Sequence, residues 1–254
     1  MRALALLPAF CLSFAVHAQT KTEPYTPTVG QPGKDVVWVP TPQPLVDRML
    51  DMAKVTSSDY LMDLGSGDGR TVITAAKRGA RALGVEYNPD MVALSRQNAQ
   101  KEGAGSKAVF QQADLFTVDI SKATVITMFL LPDINVRLRP KILTLKPGTR
   151  IVSNSFTMGD WKPDQTANID TSAGCDSWCT AYLWIVPAQV SGNWKLPNGE
   201  AHLKQEFQML SGTVTADGRT TPIEGGKVAG DQVSFKAGGK QYSGKFATGK
   251  LELH

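Results

Sequence analysis

Apolar positions Leu45, Val46, Met49, Leu50 and Ala53 recur at helical spacing behind the stiff segment Val39-Pro40-Thr41-Pro42, and they predict an entry helix over 44–54. Beyond it the period alternates. Short apolar runs predict buried strands at 60–64, 82–86, 109–112, 125–130 and 150–155, and helical patterns fall at 70–78, 90–101 and 135–143. A final antiparallel pair fits 168–169 and 181–186. Strands alternating with helices signify βαβ units and a mostly parallel sheet, here a Rossmann-like α/β sheet of seven strands. After Pro187 helical spacing disappears. Short alternating runs are punctuated by Asn198-Gly199, Asp217-Gly218, Gly225-Gly226, Gly230-Asp231 and Gly238-Gly239, dipeptides that supply the positive φ of tight hairpins. Residues 188–254 therefore read as a small Gly-rich antiparallel β module following a main domain at 38–187.

Composition adds that the chain can bury a full core: 42% of its 254 residues are hydrophobic. The net charge of +4 is spread along the chain without a basic run, so nucleic acid is not an expected partner. The N-terminus carries Arg2, an apolar stretch over 3–16 too short to span a bilayer, and the small-residue pattern Val16-His17-Ala18. It reads as a signal peptide over 1–18, making the protein exported, periplasmic, and without a transmembrane segment in its mature chain. Residues 19–37, rich in Pro, Thr and Gly, read as an extended arm in which no core is expected.

Cys11 would leave with the signal peptide, and Cys175 and Cys179 then form an even pair suited to a small disulfide loop in an oxidising compartment. No metal is expected, because His202 and His254 are remote from that pair.

The chemistry concentrates in Leu61-Met62-Asp63-Leu64-Gly65-Ser66-Gly67-Asp68-Gly69-Arg70, a Gly-rich turn between the first predicted strand and the first βα helix. A dinucleotide loop would read G-x-G-x-x-G and offer a helix N-terminus to a pyrophosphate. Here the spacing is G-x-G-x-G after an acid, which suits a cofactor without phosphate. S-adenosylmethionine (SAM) presents an amino acid end, a ribose diol, an adenine edge and a sulfonium. Asp63 is placed for the ammonium, Glu86 at the end of the second strand for the ribose hydroxyls, and Asp114 after the third strand for the adenine amino group. Gly65, Ser66, Gly67, Asp68 and Gly69 complete the expected cofactor loop.

These segments resemble a family of class I methyltransferases that includes eukaryotic mitochondrial protein-lysine methyltransferases and uncharacterised bacterial proteins. The likeness covers residues 38–163 and is carried by Val39-Pro40-Thr41-Pro42, by 63–70, by Gly84-Val85-Glu86-Tyr87-Asn88-Pro89 and by Phe129-Leu130-Leu131-Pro132. It implies that the loop, Glu86, Asn88 and Asp114 line a SAM pocket and that 129–132 border the methyl-acceptor site. The acceptor segment is apolar where many amino-methylating enzymes carry Asp/Asn-Pro-Pro-aromatic, and no base stands out. Thr41, Phe129, Pro132 and Asp133 are the acceptor-side candidates, with Asp160 a further acid.

Trp38, Trp161, Trp178 and Trp184 are either acceptor-channel walls or packing residues. The expected activity is methyl transfer to an amine acceptor, a protein lysine being the natural candidate. Export, which removes the chain from cytoplasmic SAM, keeps a second reading: a non-catalytic exported SAM-fold binder whose β module recognises an envelope partner.

Overall fold

The computed structural model describes residues 25–254; the expected signal peptide and the start of the arm lie outside the described residues. Helix α1 (Gln43–Met52) opens the main domain, and its apolar stripe Leu45, Val46, Met49 and Leu50 is buried. Then follow β1 (Tyr60–Leu64), α2 (Arg70–Lys77), β2 (Arg81–Glu86), α3 (Pro89–Lys101), β3 (Ala108–Gln112), β4 (Val125–Met128), α4 (Pro132–Ile142), β5 (Arg150–Asn154), β6 (Gln165–Asn168) and β7 (Thr180–Ile185). These strands form one sheet in the order β3-β2-β1-β4-β5-β7-β6. The first five are parallel, and β7 runs antiparallel between β5 and β6.

This is the Rossmann-like α/β sheet of seven strands that the sequence predicts. Its order reverses between β1 and β4, and that switch point opens a crevice at the carboxyl ends of both strands. Apolar side chains cover both faces: Leu61, Val72, Ala75, Val125 and Val152 with α1 on one, Met62, Leu64, Ile126, Met128, Ile151 and Leu138 on the other.

Strand β6 occupies Gln165–Asn168 where the sequence pattern predicts 168–169, and two further expectations change. Strand β4 ends at Met128, because Phe129 and Leu130 turn out of the sheet. Helix α4 starts three residues early, with Pro132 in its first turn, where a missing N–H costs nothing.

The module comprises β8 (Gly192–Leu196), β9 (Gly199–Glu206), β10 (Met209–Ala216), β11 (Arg219–Pro222), β12 (Glu224–Ala229), β13 (Gln232–Ala237), β14 (Lys240–Ala247) and β15 (Lys250–Leu253). It is an antiparallel sheet in which β15 returns beside β8, so it nearly closes into a barrel. Alternate residues point inward, and Leu203, Val214, Val233, Phe235 and Leu251 fill the centre.

Asp217-Gly218 and Gly238-Gly239 take the paired positive φ of hairpin turns. Gly225-Gly226 does not make a turn: it sits inside β12, where the register with β13 shifts, and a Cβ on Gly226 would press on Leu210. The β9–β10 turn carries no Gly-rich signal; it uses Phe207, at φ 52°, with Gln208.

That same turn joins the two units. The Phe207 ring stacks on Trp161 at 5.9 Å, the Arg139 guanidinium lies over the Phe207 ring at 5.1 Å, and Gln208 Nε2 donates to Lys162 O at 2.7 Å. Lys227 pairs with Asp164 at 2.9 Å. Trp161 and Trp184 are fully buried, with the Trp184 indole N–H donating to Trp161 O, so both are packing residues of this junction.

Candidate active site

The crevice at the switch point is a cavity of about 200 Å³ walled by the Gly-rich loop, the ends of β2 and β4, and the arm. Strand β1 delivers Asp63 to its floor, 6% exposed, with Thr127 of β4 donating to its carboxylate at 2.6 Å. Burial pushes the Asp63 pKa up to about 7 despite the Thr127 hydrogen bond, and the negative charges of Asp68 and Glu86 add to the rise. Gly65, Gly67 and Gly69 all have positive φ, which lets the chain turn from β1 into α2 within five residues. A Cβ on Gly67 would stand 2.6 Å from the Trp38 indole nitrogen, so this glycine is where the arm and the loop meet.

The donor set identifies the class of ligand. The amide groups of Gly65 and Ser66 donate to Val85 O at 2.9 and 3.0 Å, that of Gly67 to Glu86 Oε2 at 3.0 Å, and that of Gly69 to Ser66 O at 2.9 Å. They are engaged within the protein and make no nest for a phosphate. Acids predominate among the charged residues of the lining: Asp35, Asp63, Asp68, Glu86 and Asp114. Arg70 is engaged by Asp68 at 2.6 Å, and Lys34 by Asp114 at 2.5 Å. Such a lining fits a cation with hydroxyls, which is what SAM offers, and the residues present fit that cofactor.

Among the expected cofactor residues, Asp63, Gly65, Ser66, Gly67, Asp68, Glu86, Asn88 and Asp114 all line this one cavity. Gly69 lies behind it: a Cβ there would strike Phe110 at 2.7 Å and Ser95 at 3.0 Å, so its place is the packing of helix against sheet. The Asn88 side chain caps α3, accepting from Asp90 N at 2.8 Å. Glu86 accepts from Gly67 N and, through its other oxygen, from Asn88 N at 2.9 Å. The carboxylate expected at the ribose is thus held by two backbone donors.

The expectation of an extended arm without core over 19–37 fails in its described part: residues 31–37 line the cavity with 38–41 of the main domain, Trp38 N donates to Gln31 O at 3.0 Å and Gly30 N to Trp38 O at 2.8 Å to close a compact loop, and Val36 packs on the core. Lys34 fastens that loop to Asp114. Its hydrogen bond to Asp114 holds the Asp114 carboxyl below the usual range and raises the ammonium of Lys34, which also lies 4.9 Å from the Tyr87 ring. A Pro-rich and polar composition reads as solvated arm, and contacts across some eighty residues of sequence leave no local trace.

On the acceptor side, Thr41 and Phe129 line the cavity together with Leu130, Leu131, Phe156 and Trp178. Thr41 is buried, its hydroxyl accepting from Asn154 Nδ2 at 3.2 Å and its carbonyl from Arg70. Pro132 and Asp133 are not on the lining: both belong to the first turn of α4, where Asp133 is exposed and favours the positive helix end. Asp160 is committed to Arg139. Cys175 and Cys179 are disulfide-bonded, and Trp178, inside that small ring, lines the cavity as Trp38 does; spacing along the chain offers no means of choosing these two from among five tryptophans.

Comparison with known proteins agrees with this geometry. The ANTKMT methyltransferase domain family matches residues 63–165. A protein-lysine N-methyltransferase of Saccharolobus islandicus is 42% identical over 154 residues, covering 59% of this chain and 94% of that protein. A human lysine N-methyltransferase named for a component of the ATP synthase is 31% identical over 173 residues, covering 67% of this chain and 70% of that protein. Among solved structures, an RNA methyltransferase from Salinibacter ruber in complex with S-adenosyl-L-homocysteine is 48% identical with a TM-score of 0.55, covering 60% of this chain and 96% of that one.

Proposed function

Because this chain belongs to the class I SAM-dependent methyltransferase family that includes the archaeal protein-lysine N-methyltransferase, we propose that its acceptor is the side-chain amine of a protein lysine. The observation that carries this reading is the union, in one cavity, of a carboxylate-lined cofactor end with an apolar acceptor end formed by Phe129, Leu130 and Leu131. Bound SAM supplies a methyl group activated by a sulfonium.

Asp63, once ionised, holds the ammonium end of the cofactor, Glu86 the ribose diol, and Asp114 the adenine edge. Phe129 and Leu130 exclude water and disfavour the charged form of an entering lysine, which lowers the cost of its losing a proton. Positioning and desolvation are the protein's contribution.

RNA is the competing acceptor, from the name of the Salinibacter ruber protein. The cavity's carboxylates outnumber its cations, Lys34 and Arg70, five to two, an excess that disfavours a polyanion and attracts a cationic side chain, which favours lysine. Incubating the full chain with methyl-labelled SAM, a lysine-rich protein mixture and total RNA separates the two. Label on lysine Nε is the expected result, and label confined to RNA contradicts the reading.

We also propose that the protein works outside the cytoplasm. The N-terminal pattern over 1–18 and the Cys175–Cys179 disulfide support this, since such bonds persist in oxidising compartments. Cell fractionation tests it, recovery in the cytoplasmic fraction alone being the contrary outcome.

A further inference from the structure

Three aromatic rings from separate parts of the chain meet at the mouth of the acceptor end. Phe129 comes from the end of β4, Phe156 from just beyond β5, and Trp178 from the loop between β6 and β7. Their centroids are 6.0 Å (Phe129–Phe156), 6.1 Å (Phe129–Trp178) and 5.3 Å (Phe156–Trp178) apart; Phe129 and Phe156 lie near-parallel at 22°, and Trp178, tilted 56° and 47° to them, stands across that pair as a second wall.

Trp178 remains 47% exposed, an unusual state for the largest apolar side chain, and its φ of 58° lies in the left-handed region that bulky residues avoid. Strain of this kind persists only where the surroundings impose it, and it gathers at ligand clamps. Here the constraint is covalent: Cys175, itself buried, is bonded to Cys179 and ties the short segment carrying Trp178 to the body of the domain. Four rings of the described residues are met by cations of the chain, Lys34 at Tyr87, Arg137 at Phe116, Arg139 at Phe207 and Arg81 at Tyr60, and Phe129, Phe156 and Trp178 are not among them.

We propose that Phe129, Phe156 and Trp178 form a binding site for the cationic end of the acceptor side chain, an ammonium or methylammonium, and that the Cys175–Cys179 disulfide holds its outer wall in position. Ring faces carry negative electrostatic potential and attract such a cation most strongly when water is partly excluded. The rim thus collects the charged amine, and the apolar floor beyond it, the buried Leu130, favours the neutral form that reacts. Specificity for an alkyl cation resides in a loop that reduction would release, which makes acceptor binding sensitive to thiols while cofactor binding is not.

This site rests on the lysine reading, and its test is chosen to stand apart from that reading. The full chain, saturated with S-adenosylhomocysteine, is titrated calorimetrically with two short Gly-Ser peptides, one carrying Nε-trimethyllysine and the other its uncharged tert-butyl isostere. The charged peptide is expected to bind about fivefold tighter or more. That preference disappears in Trp178→Leu, is largely restored in Trp178→Phe, and shrinks in the Cys175→Ser/Cys179→Ser double variant or after reduction. Absence of a charge preference in the wild type, whether both peptides bind or neither does, overturns the proposal, as does an undiminished preference in Trp178→Leu. S-adenosylhomocysteine affinity stays within about twofold in every variant, an effect no larger than that of a surface contact; its collapse with Trp178→Leu would assign the rings to the cofactor and equally overturn the proposal. Failure of the lysine reading itself shows elsewhere, as missing label on lysine with the charge preference intact.

Discussion

The two sheets of this protein solve the problem of a buried β surface in opposite ways. The parallel sheet is covered by helices on its faces and leaves a gap where its strand order reverses between β1 and β4; the cavity, its carboxylates and its glycines all gather there. The antiparallel module curls until β15 lies beside β8 and fills its own centre with Phe235, Val233, Leu203 and Leu251. One sheet is open at the point of function, and the other spends its interior on stability. Glycine follows the same division. Gly65 and Gly67 bring backbone close to a ligand cavity, whereas Gly218, Gly238 and Gly239 only turn hairpins.

The sharpest way to break this comparison is to damage the module's core. Phe235 is 1% exposed, so Phe235→Ala is expected to cost about 3–5 kcal/mol in the module's unfolding, read by denaturant titration, while leaving cofactor affinity unchanged. Asp63→Ala should behave in the opposite manner. Loss of the carboxylate at the ammonium end removes about 2–3 kcal/mol of binding, roughly a hundredfold in Kd, with little change in the unfolding midpoint of the module.

A pH series sharpens the assignment of Asp63. Its pKa of about 7, raised by burial, means that the protonated form accumulates as pH falls below 7. SAM affinity should therefore drop by up to about tenfold per pH unit below that point, and the slope should be absent in Asp63→Asn. Stability of the cofactor-free protein runs the other way. Between the unfolded value of 3.8 and about 7 the folded state binds the extra proton, so this group's contribution to stability declines as pH rises through that window. Thermal unfolding of wild type against Asp63→Asn reads it directly. The smallest effect belongs to the exposed strap: Lys34→Ala opens the Asp114 contact and should raise the cofactor off-rate about twofold in stopped-flow measurements, with a smaller effect at high salt.

Much of the open sheet is legible in the sequence because its signals are local. Strand β1 is bounded by the turn that follows it, and Asp63, Glu86 and Asp114 each sit at or just beyond a strand end that periodicity locates. Gly69, expected at the ligand, packs on Phe110 instead, and spacing cannot tell a glycine facing a cavity from one facing a ring. The module's hairpins are legible at Asp217-Gly218 and Gly238-Gly239, but the bulge at Gly225 and the Phe207 turn are not, since a bulge and a hairpin use the same residue type and Phe207 takes its conformation from Trp161 and Arg139. The arm over the cavity and the placing of Trp178 depend on contacts between distant segments, Lys34 with Asp114 and Trp178 with Phe129, and such contacts leave no periodicity to read.

The most direct test of the central claim is calorimetric titration of the full chain with SAM and with S-adenosylhomocysteine, alongside Asp63→Ala and Glu86→Ala. Micromolar binding by the wild type, lost in both variants while their folded signal persists, is the predicted result. A folded wild type that binds neither compound, or variants that bind both as tightly as it does, would contradict the assignment of this cavity to the methyl donor.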